Sequence, residues 1–568
     1  MNARRAIPWL AALMVAALVG AQVLAQEVST GTLEGKVKDE KGTPVPGATI
    51  TVTGPQGTRA VRSGTDGSYR VPFLPVGKYE IKVEMPGFAT IVVKEVEIVL
   101  NRRTTMPLQL SAGQVQTVTV TAQAPLIDMK QTSIGATVKV NDFVNYLPIG
   151  RAYSDTFATV PGVTSGGGTG AGNYSISGAS GLENQYIVDG VNITNTGYGG
   201  IGSYNIIYGS LGTGVTTDFL DTVQVKSGGF EAEFGGATGG VLNAIVKNGG
   251  NNLSGSVSFY FIPHSFQADA KTISLSNGAV NFVDEQKEDL GLTLSGPIVK
   301  DKAFFFVAYN PVRTKTRMSV EPALFDSDFA PTTGPFAGVK TFPAASLGPQ
   351  ERERRNQTWA VKLSYYLTPN HRFELTGFGD PSHGLRGPQN PAALRFLDYE
   401  QGGGQSEIRY GGNQYTLKYN AVFNSNFFGE FQVSRHDAKF RETPDLNENR
   451  VRDRRQQLCY LFPLFRCPAG VTADAATTWF TGGTGFVSNA NDKNTEYAAK
   501  LTNVLPGNVE LKYGVEYFDI SYEDRQGYSG TPIDFFIPAD QDGIDNNGDG
   551  TIIDPGEGVF VKSTSGAL

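Results

Sequence analysis

The feature that most restricts this chain is a series of alternating segments after residue 251 whose connections come in two lengths. Apolar and polar residues alternate over 253–263, 288–298, 302–312, 355–367, 371–379, 409–423, 427–436, 494–504 and 508–522. This period of two sends successive side chains to opposite faces of a sheet. Tight turns at 299–301, 368–370, 424–426 and 506–507 alternate with excursions over 264–287, 313–354, 380–408 and 437–493. The asymmetry predicts an antiparallel transmembrane barrel, about nine strands of it, with short turns at one rim and long loops at the other. In the last segment Val509, Leu511, Tyr513, Val515 and Tyr517 share one face, and Glu510, Lys512 and Glu516 the other. Three charges are costly inside a dry sandwich and acceptable in a watery lumen. A soluble sheet with one wetted face has the same period. The apolar-side aromatics Phe259, Phe261, Trp359 and Tyr365 count against that alternative.

The N-terminus supports export. Arg4 and Arg5 precede an apolar run from Trp9 to Val19, and Val23-Leu24-Ala25 supplies small residues for cleavage, which predicts a signal peptide over 1–25. That run is shorter than the roughly 20 residues a spanning helix needs, and no later segment is longer and as apolar, so membrane insertion must use strands. With 48 Lys+Arg against 55 Asp+Glu and no long basic block, nucleic acid is excluded as a partner. The 69 glycines in 568 residues, nearly twice the usual share of about 7 %, fit a mainly β chain rich in turns.

Residues 26–112 alternate in short runs broken by Gly and Pro, with turns at Pro44 to Gly47, Asp66-Gly67 and Pro75 to Gly77, and predict a small β-sandwich. The stretch 113–130 contains QTVTVTAQAP and reads as an extended linker or an edge strand. Residues 131–250 are Gly-rich; QYIVDGVNI predicts a hairpin at Asp189-Gly190, and FLDTVQVK and GGVLNAIVK predict two further strands joined by a Gly-rich connector.

These motifs resemble a known family. GTLEGKVKDEKGTPVPGATITV, TDGSYR, LPVGKY and PGF resemble the carboxypeptidase regulatory-like, transthyretin-type domain, a non-catalytic sandwich. ENQYIVDGVNI and DTVQVKSGGFEAEFGGATGGVLNAIVKNGG resemble the plug of TonB-dependent outer-membrane receptors, within the Oar-like group that carries such an N-terminal domain. Phe234 stands where the family usually has Tyr, and Lys247-Asn248 where Thr-Lys is common. The resemblance marks Asp189, Gly190, Gly235, Gly239, Gly240 and Asn243 as plug-motif residues. It also marks Thr117, Val118, Thr119, Val120, Thr121 and Ala122 as a TonB box, the extended peptide that adds as a strand to TonB. It implies residence in the outer membrane of a Gram-negative-type bacterium with the sandwich in the periplasm, and contact with outer-membrane lipid and the TonB-ExbB-ExbD complex. The implied function is active import of a small-molecule or oligomeric substrate such as a siderophore, carbohydrate or peptide. Family barrels have about 22 strands, so the resemblance implies a chain incomplete at its C-terminal end. The alternative function is a surface adhesin or carbohydrate-binding protein.

Enzyme signatures are missing. His264, His371, His383 and His436 lack His-Glu-x-x-His spacing and are expected to be solvated on barrel loops, no Gly-x-Ser-x-Gly occurs, and the implied cofactor set is empty. One metal signal stands out in PADQDGIDNNGDGTIIDPGEG, where Asp540, Asp542, Asp545, Asn547, Asp549 and Asp554 place oxygen ligands at the close spacing Ca²⁺ uses. Cys459 and Cys467, in CYLFPLFRC, are expected to form a local disulfide after export. Extracellular Ca²⁺ at millimolar levels should protect the 540–554 loop from external protease on intact cells, and Asp545→Ala with Asp549→Ala should remove the protection. Equal cleavage with and without Ca²⁺ would refute the site.

Overall fold

The computed structural model describes residues 29–563 apart from 114–117, 122–133, 142–150, 165–171, 206, 213, 231–233, 235, 267–279, 321–349, 386, 391–393, 395–400, 454–478, 506–508, 531–532 and 538–558. Among the described residues no helix is long and apolar enough to cross a membrane. Strands dominate throughout.

The N-terminal sandwich contains β1 (Gly31–Asp39), β2 (Thr49–Gly54), β3 (Gly57–Arg62), β4 (Ser68–Leu74), β5 (Gly77–Glu84), β6 (Ile91–Ile98), β7 (Arg103–Thr105) and β8 (Leu108–Leu110). One sheet pairs β4 and β7 with β1, which β8 also joins; the other runs β3-β2-β5-β6. The inward halves of the alternating strands, including Leu33, Val37, Ile50, Val52, Ile81, Val83 and Val96, close over one core. Gly35 explains part of the motif: a Cβ there would lie 1.9 Å from the Met106 carbonyl oxygen, so β1 could not approach that segment with any other residue. A ninth strand, β9 (Val118–Thr121), continues the second sheet beyond β6. It runs parallel, with Val118 opposite Ile91 and Thr121 opposite Lys94.

The plug contains β10 (Ile134–Lys139), the short pair β11 (Val163–Thr164) and β12 (Ser175–Ile176), β13 (Gln185–Val188), β14 (Val191–Asn192), a second short pair β15 (Ser203–Asn205) and β16 (Gly209–Leu211), β17 (Leu220–Gly228) and β18 (Val241–Val246). Its central sheet runs β10-β17-β18-β13-β14. All six residues of β18 are buried, as befits a strand covered on both faces. Tyr153, Phe157, Tyr186 and Phe219 form the plug core, and Phe306 and Phe378 of the barrel wall belong to the same cluster. The plug is therefore packed inside the barrel.

The barrel wall consists of β19 (Ser254–Ile262), β20 (Val280–Val299), β21 (Ala303–Val320), β22 (Gln350–Thr368), β23 (His371–Gly379), β24 (Ser382–Gly384), β25 (Ser406–Asn424) and β26 (Phe427–Pro444), then β29 (Phe486–Leu505) and β30 (Val509–Tyr528) after a small pair β27 (Val451–Asp453) and β28 (Trp479–Thr481). A further hairpin, β31 (Ile533–Ile537) with β32 (Val559–Ser563), follows. The main sheet runs antiparallel in sequence order, with β24 bridging β22 and β25. All nine expected strands are present, but most are longer than their apolar pattern. β20, β21, β26 and β29 reach 18 to 20 residues because their far ends stand beyond the lipid, where outward side chains are charged and the apolar alternation fades.

The faces sort as expected. Along β26, Glu430, Gln432, Ser434, His436 and Glu442 are buried inward while Val433, Lys439 and Arg441 point outward. One register line on the outer face joins Phe305, Leu363, Leu375, Leu417, Val433, Tyr497 and Tyr517 across successive strands. Exposures of 37 to 62 % from Leu363 to Tyr517 mark this apolar row as lipid-facing.

Candidate functional site

The plug hairpin is the centre of the site. Asp189 and Gly190 both have positive φ, 48° and 80°, the conformation a two-residue hairpin turn requires and an Asp-Gly pair tolerates. This turn inserts among four barrel strands. The fully buried Asp189 carboxylate accepts from Lys362 Nζ on β22 at 2.9 Å, Thr376 Oγ1 on β23 at 3.0 Å and the Val246 backbone N–H at 3.2 Å. Lys362 also lies 3.5 Å from Glu374, which pairs with Arg372. Gln432 Nε2 on β26 donates to the Gly190 carbonyl at 2.8 Å. Gly190 sits at φ +80°, a conformation that residues with a side chain rarely adopt, and a Cβ there would also push aside the ends of the Gln432 and Lys418 side chains. The buried Asp189 and Glu374 carboxylates each have a cationic partner, in Lys362 and Arg372.

The other plug-motif residues are structural supports for that turn. Asn184 Oδ1 accepts the Gly240 N–H at 2.8 Å, and a Cβ on Gly240 would meet the Ile176 side chain at 2.4 Å. Gly239 approaches Asn184 in the same way. Asn243, fully buried on β18, lies opposite Ile187 on one side and Gln224 on the other. Gly235 lies outside the described residues. A second plug-to-wall tie uses Arg151, paired with Asp218 of the plug and with Asp289 of β20 at 3.1 Å, its guanidinium 4.0 Å above the Tyr260 ring. Nearby burial holds the Asp221 carboxyl above and the Lys247 ammonium below their ordinary ranges.

Toward the long-loop end the plug presents tyrosines. Tyr198 packs against Tyr204 at 5.0 Å and Tyr522 of β30 at 5.9 Å, while Tyr208 donates to Glu442 at 2.6 Å and packs on Phe440 at 5.6 Å. Thr196 is held by Asp492 through its hydroxyl at 2.5 Å and its N–H at 3.1 Å. Sequence reasoning missed this cluster. Its only local signal was three tyrosines spaced through the Gly-rich TGYGGIGSYNIIYGS.

At the short-turn end the sandwich sits against the barrel mouth. Glu510 of β30, expected to face an open lumen, is instead shared by Arg70 at 3.0 Å and Arg103 at 2.9 Å. Gln56 donates to the Gly249 carbonyl at 2.9 Å and accepts from Tyr366 at 3.0 Å, and Phe73 meets Phe428 edge to face at 5.6 Å. The strand resembling a TonB box, Val118 to Thr121, is the outermost strand of the same sandwich; Thr117 and Ala122 lie outside the described residues.

Residues 132–241 match the TonB-dependent receptor plug domain, 32–123 the carboxypeptidase regulatory-like domain and 245–341 an outer membrane beta barrel domain. These three domains, in this order, are those of TonB-dependent outer-membrane receptors, to which the chain is similar. The TonB-dependent transporter Oar of Myxococcus xanthus is 24 % identical over 90 % of this chain and 51 % of its own length. The probable TonB-dependent siderophore receptor PirA of Acinetobacter baumannii is 29 % identical over 33 % of this chain and 24 % of its own. This receptor chain thus spans about half the length of the first of these curated relatives or less. Among solved structures, the ferric enterobactin receptor PfeA of Pseudomonas aeruginosa shares 16 % identity at a TM-score of 0.40, covering 69 % of this chain and 55 % of that one. The outer membrane transporter YddB of Escherichia coli shares 15 % at 0.41, covering 69 % and 54 %.

The expectation of solvated histidines needs correction. His436 is 1 % exposed inside the lumen, 3.6 Å from Asp492, because β26 extends beyond its apolar stretch and carries position 436 on its inward face. His371 hydrogen-bonds Tyr419 at 2.7 Å on the outer wall. Cys459, Cys467 and the acidic residues Asp540 to Asp554 lie outside the described residues. Among the described residues no cluster of potential metal ligands occurs.

Lys362→Met should leave the buried Asp189 carboxylate without its cation and cost about 3–5 kcal/mol of plug seating. Cells carrying it should admit a large hydrophilic antibiotic that the wild type excludes, and adding Asp189→Asn should restore most of the barrier. An unchanged barrier in the single variant would show that this pair does not hold the plug.

Proposed function

We propose that this receptor imports a substrate actively across the outer membrane. The observation that carries the reading is a polar lumen filled by a plug whose deepest turn is held by ion pairs and hydrogen bonds. Such contacts are strong while dry and exchange readily for water, so a pull from below can release what thermal motion does not. The tyrosines Tyr198, Tyr204 and Tyr522 with Asp492 at the plug apex supply aromatic faces and acceptors suited to first contact with substrate from outside. Siderophore, carbohydrate and peptide all suit such a surface. Residues 117–122 serve as the peptide that TonB takes up by strand addition, and Val118–Thr121, at the edge of the sandwich sheet, have one side unpaired among the described residues. TonB, driven by the inner-membrane proton gradient, then pulls on the chain that leads to the plug. No covalent chemistry is required of any side chain.

Val120→Pro removes a backbone donor from this peptide and constrains φ. Surface expression should persist, while capture of the receptor by purified TonB C-terminal domain should fall at least about tenfold. Equal capture would overturn the assignment of the box.

A further inference from the structure

The sandwich carries its charge unevenly. Over residues 29–112 eleven Lys and Arg stand against eight Asp and Glu, in a chain whose net charge is −7. Along β5 and β6 the cations are neutralised in place: Lys78 pairs with Glu95, Lys82 with Glu84 and Lys94 with Glu80. The excess lies at the other edge of the domain, where β3 of one sheet and β4 of the other are the outermost strands. There Lys38 of β1 and Arg62 of β3 are exposed and make no ion pair among the described residues. Lys36 pairs with Asp66 at 3.2 Å, but both are about half exposed, so water and other anions compete for that contact.

These cations line a cleft of about 670 Å³ between this edge of the sandwich and two short turns of the barrel. One wall is formed by Lys36, Lys38, Arg59, Arg62 and Arg70, with Glu34 the one carboxylate among the described lining residues. Glu34 is already taken by Arg70 at 2.7 Å, and Arg59 is fixed by donating to the Pro72 carbonyl at 2.6 Å. The opposite wall is Asn370 from the β22–β23 turn with Asn424, Ser425 and Asn426 from the β25–β26 turn, all exposed. Asn424 holds its turn by accepting the Asn426 N–H through Oδ1 at 2.9 Å, so its amide donors remain for a ligand. Arg59 also borders a second hollow of about 350 Å³, to which the β20–β21 turn brings Lys300 and Lys302, and the basic strip thus continues under the barrel rim. None of the residues lining the larger cleft is an exposed large apolar side chain. A protein partner draws its affinity from buried aromatic and apolar anchors, and this cleft presents none.

We infer that this cleft binds the carboxylate-bearing amino-sugar polymer of the cell wall, the anionic mesh that lies in the periplasm below the short-turn end. Carboxylates of its short peptides meet Lys38, Arg62 and Lys36, and the sugar hydroxyl and N-acetyl groups meet the amides of Asn370, Asn424 and Asn426. The cleft volume of about 670 Å³ falls within the range of about 300–1,000 Å³ that small-ligand sites occupy, which suits one disaccharide-peptide unit of such a polymer. The site uses neither the plug, the lumen nor residues 117–122, and it holds whether or not the chain transports. It requires only that the sandwich lie in the periplasm.

The test is retention of the purified full-length protein, in non-ionic detergent, on purified cell-wall sacculi. Lys38→Gln/Arg62→Gln should cut retention at least about tenfold, while Lys78→Gln/Lys94→Gln, which removes the same charge from the neutralised strands, should be retained like wild type. Asn424→Asp keeps the acceptor that holds the turn, and so the fold, yet sets a negative charge on the barrel side of the cleft and should weaken retention severalfold. On sacculi whose peptide carboxylates have been amidated, wild type should lose as much as the Lys38→Gln/Arg62→Gln variant does on native ones. Folding of each variant is read from its heat-modifiable gel mobility and from the protease resistance of the sandwich. Undiminished retention of the folded cleft variants, an equal loss in Lys78→Gln/Lys94→Gln, or equal retention on amidated sacculi would each overturn the proposal. So would displacement by an acidic peptide at equal carboxylate concentration, which would assign the cleft to a protein segment instead.

Discussion

Everything in this receptor follows from the cost of an unpaired backbone in a membrane. Each buried N–H or C=O left without a partner costs several kcal/mol in hydrocarbon, so the wall must be a continuous antiparallel ladder. From β19 to β30 the register runs almost without interruption from strand to strand. Once the ladder is fixed, period two assigns every side chain: one face to lipid, the other to the interior. The interior is consequently polar, and a polar bore through a membrane leaks unless it is filled. The plug answers that constraint, and the polar wall in turn decides how the plug is held. Asp189 is anchored by Lys362 and Thr376, and Arg151 by Asp289, because the wall offers chiefly polar and charged partners at those positions.

The same logic explains the sandwich. A domain at the mouth of a charged bore meets the strand ends, and here Arg70 and Arg103 converge on Glu510 while Gln56 bridges plug and wall. The last strand of the sandwich, parallel to β6, is the peptide that leads on toward the plug. Mechanical tension applied there has a direct covalent route to the Asp189 turn.

Much of this was legible from local pattern. The nine wall strands, their alternating connections, the Asp189-Gly190 hairpin and the sandwich turns all depend on neighbours in sequence. Strand lengths were not, since the outer ends of β20 and β26 carry charged residues and lose the apolar signal while keeping the ladder. Nor was the chemistry of the site. Asp189 and Lys362 are separated by 173 positions, Thr196 and Asp492 by 296, and no periodicity links such pairs. The parallel pairing of β9 was hidden for the same reason: a parallel partner is never supplied by a tight turn.

In the proposed import, substrate passes only when the plug moves relative to the wall. Thr196 and Asp492 meet at 2.5 Å near the plug apex, so Thr196→Cys/Asp492→Cys places two thiols within reach of a short bis-methanethiosulfonate cross-linker that ties plug to wall in the oxidised protein. Energised uptake measured in cells carrying this pair should stop on cross-linking and return on adding reductant, with each single variant transporting throughout. Transport that continues at the wild-type rate through the oxidised protein would contradict the account.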